Sequence, residues 1–330
     1  HGAVQLFWQT AEELDLLTMF NRHFSNQVRD GLLVGDSLLL AAIHRAIRPD
    51  SKRAFSTWAK QTTLPEFLSF DPEKLNSQHF WDQMHTVTDI QLERVEKDVT
   101  QKLIAKGLLS SKLLFYDLTN FFTYISTTNQ KSKLAQRGRN KQKRNDLKQF
   151  GLWQVATREF LIPVLSQVYE GKKSDKELFV PSLTKIRKKL LELNLELEEF
   201  TIVFDKGSNS NDNFKELDQS KLPYVASLTA AYHEDLLAIP LSEYQTVIAN
   251  GHAYPCYRTK KEVWGKERTI IITISENLRQ GQIRGLKLAL VKKQDQLREL
   301  KQKLNSPRAK KRKHQDLEKA VKTIIKGERC

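Results

Sequence analysis

The sequence predicts a mixed α/β protein, with a helical segment over residues 1–108 followed by strands and helices in alternation from 109 to 330. Two observations predict it. As far as Gly107 the apolar residues recur at helical spacing and no strand-like alternation interrupts them. Beyond Lys112, short runs rich in aromatic and β-branched residues alternate with helical stretches.

Taken in order, Thr10 with Glu13 three residues on has the form of a capping box and predicts a helix start. A second helix is expected from about Gly35 to Ile47, stopped by Pro49. Ser51 can cap the next, which places Phe55 and Trp58 on one face. A long helix between Gln91 and Lys106 ends at Gly107. Then come strand candidates at 113–116 and 121–125, and a pair at 152–157 and 160–168 joined tightly. A helix over 176–193, a buried strand at 200–204, a short helix at 211–218 and a strand at 224–228 follow. A β-rich stretch spans about 240–276, and a helix about 279–305 carries Ile283, Leu286, Leu290, Leu297, Leu300 and Leu304 on a heptad seam broken by Lys293. That seam is short, and suits a helix pair within the chain better than a zipper between chains. Pro307 closes the helix, a basic run over 308–313 follows, and a short helical segment ends the chain.

Composition narrows the function. The 330 residues are 39% hydrophobic and 28% charged, which fits a globular protein with enough chain for two cores. No apolar run is long enough to cross a bilayer and no secretory leader is seen, so a cytoplasmic location is expected. Cys256 and Cys330 have no partner at metal-ligand spacing, so a linear zinc site is not expected. Lys and Arg number 54 against 39 acids, a net charge of +15, and the excess is clustered. A protein this basic meets a polyanion, because each cation placed on a phosphate releases condensed counterions.

Asp117 and Asp205 each follow an apolar run and precede a turn-rich sequence, 88 positions apart (205 − 117). Ligands gather at the carboxyl ends of parallel strands. On neighbouring strands the two carboxylates would share one crevice and suit a pair of hard divalent cations. An aspartate there also serves simply to close a turn. Between them, Lys131, Lys133, Arg137, Arg139, Lys141, Lys143, Arg144 and Lys148 stand with Asp146 as the one acid, a stretch suited to a phosphate backbone or to a solvated surface loop. No Walker sequence, nucleophilic Ser or Cys signature or HExxH spacing is present, and His233 and His252 read as surface or loop residues. Asp117-Leu118-Thr119 lacks the second Asp that a haloacid-dehalogenase-type phosphatase carries.

Tyr116-Asp117-Leu118-Thr119-Asn120 resembles the first acidic motif of the DDE transposases of bacterial insertion sequences, and Phe204-Asp205-Lys206-Gly207-Ser208-Asn209-Ser210 their second. Arg137-Gly138-Arg139-Asn140-Lys141, the stretch from Val168 through Gly171 to Asp175, and Arg48-Pro49-Asp50-Ser51-Lys52 with Trp58 also resemble that family, in the same order. The resemblance implies a ribonuclease-H-like mixed sheet with flanking helices and a β-rich insertion. It implies that Asp117 and Asp205 bind two Mg²⁺ (or Mn²⁺) ions and cut and join phosphodiesters at the element's terminal inverted repeats and in target DNA. A homodimer on nucleoid DNA would hold two ends together. The family's third acid, a Glu on a late helix, finds no match between Gly281 and Cys330 and is expected beyond Cys330, so the chain reads as a fragment that binds double-stranded DNA and cleaves it poorly. The alternatives are a non-catalytic DNA-binding remnant and a ribonuclease-H-like nuclease.

Overall fold

The structure is a computed structural model that describes residues 2–109, 112–126, 128–140, 142, 144–306 and 313–326. The chain divides into two units, His1–Thr229 and Ala230–Cys330.

The first unit begins with seven helices: α1 (Gly2–Glu13), α2 (Leu16–His23), α3 (Val34–Ile47), α4 (Phe55–Ala59), α5 (Leu64–Phe67), α6 (Ser77–His85) and α7 (Asp89–Ala105). Val4, Trp8 and Ala11 give α1 a buried stripe that starts well before Thr10. Thr10 therefore lies inside the helix, its hydroxyl donating to the Leu6 carbonyl at 2.9 Å, and the expected capping box does not form. Helix α3 starts where the Leu33 N–H donates to Asp36 at 2.9 Å. Phe55 and Trp58 are buried with Leu40, Ile43 and Phe80 in one core. Helix α7 opens on a capping box between Thr88 and Gln91, and closes at Gly107, whose φ of +70° suits glycine.

The sheet has five strands in the order β3-β2-β1-β4-β5, with β1 (Leu113–Thr123), β2 (Lys148–Thr157), β3 (Pro163–Glu170), β4 (Thr201–Phe204) and β5 (Tyr224–Ala226). β1, β2 and β3 form an antiparallel meander, β4 runs parallel to β1, and β5 parallel to β4. This is the ribonuclease-H-like arrangement. The two strands expected at 113–116 and 121–125 are one strand. Its ladder with β2 runs unbroken from Leu114↔Thr157 to Thr123↔Lys148 and carries the polar residues between them.

Helices α8 (Asp175–Glu192) and α9 (Asn211–Gln219) cover one face of the sheet. Phe179 of α8 lies 4.7 Å from Phe204 and 5.8 Å from Tyr116, ring centre to ring centre, and Phe214 of α9 lies 6.0 Å from Phe204. The helical layer is tied to this side. Glu96 of α7 accepts from Lys189 of α8 at 3.3 Å and from the Ser166 N–H of β3 at 2.8 Å. The opposite face, on which Phe121, Val168 and Val225 are exposed, also carries Asp117.

The second unit holds α10 (Glu234–Leu237), an antiparallel sheet in the order β6-β7-β8 and a helical pair. The strands are β6 (Gln245–Ala249), β7 (His252–Val263) and β8 (Lys266–Thr273), and the helices are α11 (Glu276–Leu304) and α12 (His314–Ile325). Leu297, Leu300 and Leu304 of α11 and Leu317, Ala320 and Ile324 of α12 are half-buried, so this half of the seam serves the chain itself. Lys293, the polar residue in the seam, donates to the Ile325 carbonyl at 3.1 Å and so caps the end of α12. Among the described residues no helix is long and apolar enough to cross a membrane.

Candidate metal and nucleic-acid site

The register between β1 and β4 builds the centre of the site. Leu114 stands beside Ile202 and Tyr116 beside Phe204. All four are buried, so these positions face α8 and α9. One residue further along both strands come Asp117 and Asp205. Side chains alternate along a strand, so Asp117 emerges on the open face, while Asp205 is the first residue after β4 and begins the next turn. Both are exposed. Asp117 lies in the middle of β1 and not at a strand end as expected, because β1 continues along β2 after β4 has stopped.

Asp205 is fixed by the turn it begins. Its Oδ1 accepts the Gly207 N–H at 2.8 Å. A β-carbon at Gly207 would sit 2.5 Å from Oδ2 of Asp175 and 2.9 Å from Oδ1 of Asp205. The two carboxylates are therefore no farther apart than the sum of these distances. Asp175 is the first residue of α8, held there by a capping box in which the Ser174 N–H and hydroxyl both donate to Glu177 at 2.8 Å. In the sequence Asp175 stands out only as the end of a motif. The Ser174-x-x-Glu177 pattern is the signal that places it at a helix start.

Two buried tyrosines feel the charges of Asp175 and Asp117. The Tyr116 hydroxyl donates to Ser182 at 3.1 Å, and burial, with smaller help from Asp175 and Asp117, raises its pKa far above the ordinary phenol range. The Tyr169 ring lies over Gly151, where a β-carbon would be 2.0 Å from the ring, and its hydroxyl reaches Asn120 at 3.4 Å. Its pKa is pushed up to about 12, chiefly by burial and then by Asp175 and Asp117. Both phenols stay neutral donors at any physiological pH.

Among the described residues neither Asp117 nor Asp205 has a cationic side chain within ion-pair distance. Two exposed carboxylates without cationic partners at the ends of the paired β1 and β4 segments suit a hard divalent cation that completes its shell with water and phosphate oxygens. Among the described residues no three His, Cys, Asp or Glu side chains are grouped to hold a metal ion by themselves.

The basic loop is anchored at its middle. Gln136 and Gln149 exchange backbone hydrogen bonds of 2.9 and 2.8 Å. The Gln149 amide donates to the carbonyls of Arg139 at 3.1 Å and Gly171 at 2.8 Å. A β-carbon at Gly138 would lie 1.9 Å from the Gly171 carbonyl oxygen, so only glycine permits this approach. The result is that Arg137 and Arg139 flank a fixed point at the end of β2. Lys133, Arg137 and Lys148 line an open groove with Asn129 and Glu170, and Lys148 donates to the Asn129 carbonyl. Arg144 is held in a two-pronged pair with Asp146, at 2.9 and 2.8 Å, and the guanidinium brings Asp146 down to about 2. Lys131 is exposed beside the groove. Lys141 and Lys143 lie outside the described residues, as does most of the basic run over 308–313.

Most of the charge excess is elsewhere. From Ala230 to Cys330 the sequence holds 22 Lys and Arg against 11 acids, a net +11 (22 − 11) of the chain's +15. Sequence reasoning singles out only the run over 308–313 in this region. The rest is spread along β7, β8, α11 and the final segment from Lys319.

No protein-family model matches the chain, and no curated protein matches it. Among solved structures it is similar to a Mos1 transposase paired-end complex with the left transposon end, at 12% identity over 64% of each chain and a TM-score of 0.25. It is also similar to a pre-cleavage Mos1 transpososome, at 11% identity over 64% of each chain and a TM-score of 0.25. A Mos1 mariner paired-end complex with Mn matches at 11% identity over 64% of this chain and 63% of that one, again with a TM-score of 0.25. The match thus spans a little under two thirds of those chains. The fold class stands on the strand order and register of the sheet itself.

Proposed function

We propose that the chain is a DNA transposase of the DDE type, in which Asp117 and Asp205 hold Mg²⁺ or Mn²⁺ against a DNA phosphodiester. The observation that supports this is the β1–β4 register, which pairs Tyr116 with Phe204 and leaves Asp117 and Asp205 as the next residue of each neighbouring chain segment. A divalent ion pair bound there supplies an activated water or 3′-hydroxyl and a counter-charge for the leaving oxygen. The protein's own part is positional. The Asp205 turn fixes one carboxylate, the β1 ladder fixes the other, and the anchored loop with Lys131, Lys133, Arg137, Arg139 and Lys148 tracks the backbone without reading bases. Lys141, Lys143 and Arg144 belong to the same loop, with Arg144 released from Asp146 when a phosphate competes for it.

The partner is double-stranded DNA, comprising the terminal inverted repeats and the target, met in the cytoplasm by a homodimer that holds two ends. The helical layer up to residue 108 acts as a further DNA-binding part, and residues 109–330 as the catalytic part with its β-rich insertion. A bacterial insertion sequence is the expected source of such an enzyme.

A gel-shift assay with duplex DNA tests the proposal. Without metal, Asp117→Asn should bind DNA as tightly as wild type or tighter, because a negative charge has left a phosphate-facing site. Added Mn²⁺ should tighten wild type and leave Asp117→Asn unchanged. A non-catalytic DNA-binding protein on this fold predicts equal responses to Mn²⁺ in both, and that result would remove the transposase reading.

A further inference from the structure

We infer that Trp81 on α6 is a stacking platform for an unpaired base of a nucleic-acid strand, with the turn from Arg48 to Arg53 holding that strand's phosphates. The ligand class rests on the DNA-directed role proposed above, but the surface lies in the helical layer and uses none of the residues assigned to the metal and loop sites.

Trp81 differs from the three buried indoles of the chain. Trp8, Trp58 and Trp153 are 6%, 7% and 2% exposed, whereas Trp81 is 62% exposed. Met84, one turn further along α6, is 45% exposed and extends the apolar surface. Trp81 and Met84 together form a contiguous apolar patch on the helical layer. What surrounds it decides the partner. The Lys52 ammonium lies 5.4 Å from the ring centre, an attraction that orders both groups. Lys52 opens the turn that leads from α3 into α4, with Arg48 and Arg53 exposed on either side.

The nearby acids do little to offset these cations. Asp50 accepts the Ser51 N–H at 2.7 Å and lies 4.0 Å from Arg48, while Arg45 donates to the Asp50 carbonyl at 3.3 Å. Asp82, next to Trp81, is engaged by Arg29 and by the Gln78 amide. What remains is an exposed indole with the Lys52 ammonium over its ring, next to a turn whose Arg48 and Arg53 are exposed. An apolar protein partner would find charge at its rim, and an acidic peptide would leave the indole unused. A single strand satisfies both parts, since bases stack on aromatic rings irrespective of sequence while cations track the backbone.

The test titrates the full chain with an oligothymidylate single strand in EDTA and follows tryptophan fluorescence. Wild type should be quenched. Trp81→Leu should lose most of that quenching and bind about tenfold more weakly, the usual cost of removing one stacked base. Trp81→Phe should recover most of the affinity without the quenching. The double variant Lys52→Gln with Arg53→Gln should lower the slope of log affinity against log salt by roughly one, as expected when one or two phosphates are no longer neutralised. Unchanged affinity in Trp81→Leu overturns the proposal, and so does quenching by blunt duplex but not by the single strand. The absence of metal keeps this result separate from the Mn²⁺ response of Asp117, so either can fail alone.

Discussion

At Gly207 and Gly151 the structure leaves no room for a methyl group, and the two positions make different predictions. Gly207→Ala sets a β-carbon against the carboxylates of both Asp175 and Asp205. The cost in stability should be about 1–3 kcal/mol, as for other overpacked sites. The Asp175 and Asp205 carboxylates must shift to make room, so Mn²⁺ affinity at the proposed site should fall while DNA binding in EDTA is kept. Loss of both together would mean that the turn supports the fold and not the site. Gly151→Ala presses on the Tyr169 ring instead. It should cost a similar ~1–3 kcal/mol by urea unfolding, without a selective effect on metal.

At the scale of elements, Glu96 joins α7 to β3 and α8, and burial raises its pKa above 4.5 more than Lys189 and the Ser166 N–H lower it. The folded chain therefore holds this proton more tightly than the unfolded chain does. Between 4.5 and the raised folded value, stability falls as pH rises, and Glu96→Gln should flatten that part of the urea-midpoint profile. A profile unchanged in Glu96→Gln would place the titration elsewhere. Such ties cannot be read from the chain, because Glu96 and Lys189 belong to helices that meet only after folding. The helices α3, α7, α8 and α9 and the strand β4 were legible, since apolar spacing, caps and stop residues all agreed. The continuity of β1 was not, because its polar half is held by pairing to β2 and not by apolar pattern. Asp117 and Asp205 were legible as acids that each follow an apolar run. Their register was not, and neither was the closeness of Asp175 to Asp205, which depends on how α8 meets the Asp205 turn.

Over the whole molecule the positive charge is uneven, with +11 of +15 carried from Ala230 onward and the anchored loop supplying a second concentration. Duplex binding should weaken steeply with salt, and Arg137→Gln with Arg139→Gln should lower the slope by roughly 0.9 for each phosphate left without its arginine, alike for all sequences. Equal weakening of affinity without a change in slope would mean that these arginines shape the loop and do not touch DNA. The two carboxylates are tested most directly by titrating the full chain, with duplex DNA present, against Mn²⁺ and reading the free ion by electron paramagnetic resonance. Wild type should take up the ion, and Asp117→Asn and Asp205→Asn should each lose that uptake while still binding DNA. Unaltered Mn²⁺ uptake in both variants would contradict a shared metal site at Asp117 and Asp205.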